Sequence, residues 1–137
     1  MNAIADTGFI VAFANSDDEH HDWALTVAAH LIAPALTCDA VLAEAAFHLR
    51  SAELVLELVR AGLLRPAFEL LPNLTSLKDL AKRYADRSPD LADLCLIRMS
   101  EMFPERVVVT VDEKDFRGYR RNRRDTIPLL CPPRTQR

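Results

Sequence analysis

Asn2-Ala3-Ile4-Ala5-Asp6-Thr7-Gly8-Phe9-Ile10-Val11-Ala12-Phe13-Ala14 is the stretch whose reading decides the fold. A short apolar run is broken by Asp6-Thr7-Gly8 and then resumes. That is the order of a buried strand, a sharp turn and a helix start. Asp6 therefore falls at the carboxyl end of a strand, where open α/β sheets place their ligand crevice. Glu44, Asp93 and Asp112 come much later in the chain, each in largely apolar company. A carboxylate next to a buried stripe is costly unless something compensates it, and the expectation is that these three return to the place where Asp6 stands.

The rest of the chain alternates in the same way. Trp23, Val27 and Leu31 recur at four-residue spacing and mark an amphipathic helix from about His20. A second short strand is expected over Leu31–Leu36. Thr37 or Asp39 then caps a helix from near Cys38 to Leu49 or Arg50, and Thr37 also has the position from which a hydroxyl touches the site. A helix from Ser51 or Ala52 to Arg60 ends at Ala61-Gly62; a third strand is expected near Arg65–Phe68 and a helix over Leu74–Asp86. Ser88-Pro89-Asp90 reads as a capping hydroxyl, a proline at the first helical position and an acid in the first turn of a helix over Leu91–Met102. Arg106-Val107-Val108-Val109-Thr110 is the clearest strand, which puts Thr110 and Asp112 at a strand end like that of Asp6. Asp115 either adds a carboxylate or caps a short helix through Gly118. Ile127-Pro128-Leu129-Leu130 reads as an edge strand, since proline cannot serve a central one, and the chain is expected to fray after about residue 131.

Strands alternating with helices imply a parallel sheet covered on both faces, and 137 residues suit one domain. Half the residues are apolar and only three are glycine, which excludes a low-complexity chain. No apolar run reaches membrane-spanning length, and the first residues lack a basic segment, so a cytoplasmic protein is expected. Cys38, Cys95 and Cys131 match no metal-ligand spacing and read as free thiols. Charge is divided: residues 1–105 hold eight basic against sixteen acidic residues, and residues 106–137 nine against four. Arg117, Arg120, Arg121, Arg123 and Arg124 form an arginine-rich loop suited to nucleic-acid phosphates, with Lys82 and Arg83 as further members. The alternative is that these arginines simply keep the terminus soluble.

Converging carboxylates repel one another, and a hard divalent cation relieves that repulsion. Mg²⁺ or Mn²⁺, as one or two ions, prefers oxygen ligands, acidifies a water and neutralises charge building on a phosphoryl group. There is no glycine-rich phosphate loop and no serine elbow. Ala5-Asp6-Thr7-Gly8-Phe9, Leu42-Ala43-Glu44, Leu91-Ala92-Asp93-Leu94 and Thr110-Val111-Asp112 with Asp115-Phe116 resemble the PIN-domain ribonucleases, in the style of VapC-type toxins of toxin–antitoxin pairs. The resemblance covers nearly the whole chain. It implies a three-layer α/β sandwich with a mostly parallel five-stranded sheet ordered 3-2-1-4-5, and endonucleolytic cleavage of RNA. It also implies a core acidic set of Asp6, Glu44 and Asp93 with Asp112 as a fourth, more variable position. Asp115 matches a further acid, and Thr7 and Thr110 match hydroxyls that hold the site or a bound water. Asp90, three residues before Asp93, is a supporting or helix-start group. A homodimer and a small inhibitory antitoxin are the implied partners. The faces around Trp23 and Leu54–Val59 suit either partner, though periodicity does not separate an interface from a core. A non-toxin RNA-processing enzyme and a non-catalytic binding protein are the alternatives.

Overall fold

The computed structural model describes residues 1–134. Five parallel strands form the central sheet: β1 (Ala3–Ala5), β2 (Ala35–Thr37), β3 (Leu64–Pro66), β4 (Val107–Val109) and β7 (Leu129–Leu130), in the order β3-β2-β1-β4-β7. This is the expected order, with the last main-sheet strand at the edge beside β4. β1 lies in the middle and every one of its residues is buried, as a strand covered on both faces requires. The helices are α1 (Thr7–Ala14), α2 (His21–His30), α3 (Asp39–Leu49), α4 (Ala52–Arg60), α5 (Leu74–Arg83), α6 (Leu91–Met102) and α7 (Glu113–Gly118). They make the outer layers of an α/β sandwich. α1 packs on α2 and α3, and α3 on α4. On the other flank α5 packs on α6, which lies against β1 and β4. Phe9, Ile10, Leu96, Ile97, Met99, Val108, Val109 and Phe116 are the large side chains at its centre.

Several boundaries differ from the sequence expectation, each for a local reason. β2 begins at Ala35 rather than Leu31, because it is flanked by β1 and β3 and Pro34 has no amide to give a neighbour. β3 ends at Pro66, which an edge strand tolerates. α6 is capped by Asp90, whose Oδ1 accepts the Asp93 amide at 2.8 Å, and Ser88 sits two residues further back with positive φ. α7 is capped by Asp112 rather than Asp115. Of the arginine-rich segment, Arg117 lies in α7 and the rest forms a small antiparallel hairpin, β5 (Arg120–Arg121) with β6 (Asp125–Thr126), and not an open loop. Its turn places Asn122 and Arg123 at positive φ. Of the terminus expected to fray, Cys131–Arg134 has no regular structure, and Arg134 Nη2 lies 3.1 Å from Glu113 Oε1. Residues 135–137 fall outside the described residues. Cys38, Cys95 and Cys131 are free thiols, the first two buried. No helix among the described residues is long and apolar enough to cross a membrane.

Gly8 carries the close approach of α1 to the segment after β4. A Cβ there would overlap Val111 Cγ2, and a β-branched side chain has little freedom to step aside. Helix propensity alone would make Gly8→Ala stabilising by roughly 1 kcal/mol. The expected outcome is the opposite sign, a loss of about 1–3 kcal/mol from overpacking, read as a lower urea midpoint with an unchanged m-value.

Candidate functional site

The carboxyl ends of β1 and β4 face an open cleft of about 710 Å³. Asp6, Glu44, Asp93 and Asp112 all line it, as do the supporting residues Thr7, Asp90 and Asp115. Each is delivered by the local chain. Asp6 follows β1 directly and caps α1, its Oδ1 accepting the Thr7 amide at 2.6 Å. Its other oxygen accepts the Thr110 hydroxyl, also at 2.6 Å, across 104 residues of sequence. Thr110 Oγ1 in turn accepts the Asp112 amide at 2.9 Å. Asp112 Oδ1 accepts the Asp115 amide at 3.3 Å, and Asp90 does the same for Asp93. Asp6 and Asp112 are thus helix caps, and Asp93 lies in the first turn of α6. The positive end of a helix favours an acidic group at each place. Glu44 comes from the middle of α3, one turn before His48, which also lines the cleft.

The electrostatics are those of crowded, partly desolvated acids. Asp6 is only 7% exposed. Burial pushes its carboxyl up to about 6, against the hydrogen bonds from Thr110 and Thr7, with the charges of Asp112 and Asp90 adding to the rise. Burial and the neighbouring charge of Asp90 push Asp93 up to about 7. Glu44 and Asp112 are also raised, burial again the first cause. Among the described residues, no group of three or more His, Cys, Asp or Glu side chains is close enough to form a ready-made metal cage. The donor chemistry nevertheless fits a hard divalent cation: the carboxylates offer oxygens only, and the buried Thr7 hydroxyl has no hydrogen-bond partner.

Thr37 does not reach the cleft. Its hydroxyl is fully buried and donates to the Ala5 carbonyl at 3.0 Å, tying the end of β2 to the end of β1 just before Asp6. None of Lys82, Arg83, Arg117, Arg120, Arg121, Arg123 and Arg124 lines the cleft. Arg121 donates to the Ser100 and Pro104 carbonyls at 3.1 and 3.0 Å, closing the carboxyl end of α6, and Arg120 donates to its own neighbours Arg117 and Tyr119. Arg83 and Arg123 line a separate hollow beside Glu101, and Arg117 lines an adjoining one that shares Asp112.

Tyr119 and Arg87 are among the cleft residues that escaped the sequence reading. Tyr119 donates its hydroxyl to Asp93 Oδ2 at 3.0 Å, and Arg87 lines the wall beside it. Burial and the charge of Asp93 hold the Tyr119 phenol well above its ordinary range, so it stays a donor. Tyr119→Phe removes the one side-chain hydrogen bond that favours ionised Asp93. If the cleft takes Mg²⁺, the expected result is a roughly tenfold weaker response to the ion in a thermal titration, the usual effect of losing an orienting partner beside a ligand. An unchanged titration would leave Tyr119 a packing residue.

A parallel five-stranded α/β sandwich with an acidic cleft at the carboxyl edge of its sheet is the class these observations define. The family model described as PIN domain matches residues 3–122, and the chain belongs to the PIN-domain family. The comparison with curated proteins found no significant match.

Proposed function

We propose that this protein is a metal-dependent endoribonuclease and the toxin of a toxin–antitoxin pair. The observation that carries the nuclease reading is the convergence of Asp6, Glu44, Asp93 and Asp112 on one cleft, where burial and mutual charge hold two of them near 6 and 7. Such a set is costly without a compensating cation. Asp6, Asp93, Glu44 and Asp112 are assigned to hold Mg²⁺ or Mn²⁺, as one ion or two. That cation supplies an acidified water and neutralises charge on the phosphoryl group under attack. Thr110 holds Asp6 and Asp112 in place through its hydroxyl. Tyr119 and Asp90 do the same for Asp93. The Thr7 hydroxyl is the free group for a water or substrate oxygen. RNA is the substrate, and Lys82, Arg83, Arg117, Arg120, Arg123 and Arg124 are assigned to its flanking phosphates outside the cleft, while Arg121 is given over to closing α6.

Purified protein incubated with total RNA and Mg²⁺ or Mn²⁺ is the test. Discrete products that vanish with EDTA support the reading. The toxin role predicts growth arrest on expression alone and rescue by a small antitoxin; stable growth with soluble protein would remove it. A homodimer and cytoplasmic location belong to the same proposal. The absence of a ready-made cage among the described residues favours a second reading, a PIN fold that binds RNA without cutting it. RNA binding without metal-dependent products would decide for that one.

A further inference from the structure

Eight carboxylates line the cleft, and Arg87 is its only lysine or arginine among the described residues. We propose that Arg87 binds an RNA backbone phosphate inside the cleft, a role that rests on the nuclease reading of the same site. A strongly acidic cleft repels a polyanion, and a fixed cation on its wall gives a phosphate somewhere to sit. The guanidinium is held in place without being used up. Its carbon lies 5.0 Å from the centre of the Tyr119 ring, a stacking distance for a cation over an aromatic face. One hydrogen bond is made, from Nη2 to the Asp115 main-chain carbonyl at 3.3 Å, and the Asp115 carboxylate stands off at 3.8 Å. A guanidinium carries five N–H donors in a rigid fork suited to phosphate, so most of Arg87's capacity is unspent. This contrasts with Arg121, whose Nη1 is spent on main-chain carbonyls.

Gly118 makes the seat. A Cβ on Gly118 would overlap Arg87 Nη1, and Gly118 is not among the residues at positive φ. Alanine is therefore compatible with the backbone and displaces only the tip of a flexible side chain. Gly118→Ala removes the guanidinium from its place while leaving Arg87 in the chain.

The experiment measures two affinities in Arg87→Ala, Arg87→Lys and Gly118→Ala. Affinity for a single-stranded oligoribonucleotide is read by anisotropy over a salt series in an Asp6→Asn background, and Mg²⁺ affinity by thermal titration with Asp6 intact. Arg87→Ala and Gly118→Ala are expected to weaken RNA binding roughly tenfold or more. The salt slope should fall by about 0.7, the value for one phosphate contact on a single strand. Arg87→Lys should fall between them and the parent. Mg²⁺ affinity should hold or tighten in Arg87→Ala, since a positive charge leaves the cleft. Unchanged RNA affinity and slope in Arg87→Ala would overturn the proposal while leaving the nuclease reading intact. So would a parallel loss of RNA and Mg²⁺ affinity, which marks a collapsed cleft. A parent protein that neither binds nor cuts RNA overturns both.

Discussion

Asp6→Asn is expected to abolish metal-dependent RNA cleavage and, in the same molecule, to make the metal-free protein more stable. On the proposed function, the loss of activity follows from removing one charge from the middle of the acidic set assigned to the cation. A metal site contributes several kcal/mol to such a transition state, and 4 kcal/mol is about a thousandfold in rate. The gain in stability follows from burial. Asp6 is almost fully enclosed and its carboxyl is pushed up to about 6 from 3.8, so ionising it in the folded state at pH 8 costs about 3 kcal/mol. Asparagine avoids that cost and keeps the geometry. Its oxygen accepts the Thr7 amide, and its amide donates to Thr110 Oγ1 in place of the bond from Thr110; the buried Thr110 hydroxyl then loses its acceptor, which offsets part of the gain. Denaturant titrations at pH 8 without metal should therefore favour the variant. A variant less stable than its parent there would show that Asp6 is a structural cap and not a strained ligand.

The second large effect is on pH and metal together. The carboxyls of Asp6 and Asp93 are both raised, to about 6 and about 7, so between pH 4 and 7 the folded state binds more protons than the unfolded chain. Their contribution to stability is fully present below their unfolded values near 4 and is lost as pH rises through 6 and 7. Metal-free protein should accordingly lose stability over that window. Mg²⁺ competes with the same protons, and its apparent affinity should climb by up to about tenfold per pH unit for each proton displaced. The thermal shift produced by millimolar Mg²⁺ should be small at pH 5 and large at pH 8. A shift independent of pH would place the ion away from Asp6 and Asp93.

The strand-turn-helix of residues 2–14 was legible because both of its signals are local: apolar residues over a strand's length, then a break with an acid able to cap. The same holds for the valines of β4 and for the helix after Asp90. The boundaries that moved did so where a neighbour decides. Whether Pro34 can lie within a strand depends on that strand having partners on both sides, and no periodicity records this. The four principal acids were legible as charged residues in apolar company. Their grouping was an inference from where parallel strands end.

By itself the sequence determined the alternation of elements and the identity of the acids at the sheet's carboxyl edge, because hydrophobic period and helix capping act within a few residues; the order of the strands was read only through the resemblance to the PIN-domain family. Only the tertiary structure decided what stands beside them. Thr110 reaches Asp6 across 104 residues and Tyr119 reaches Asp93 across 26, while Arg87 is seated on Tyr119 and against Gly118. It also turned most of the arginine-rich segment into a hairpin whose side chains lie outside the cleft. Such contacts are set by how packed elements meet, and side-chain partners that distant leave no mark on the local pattern of either segment.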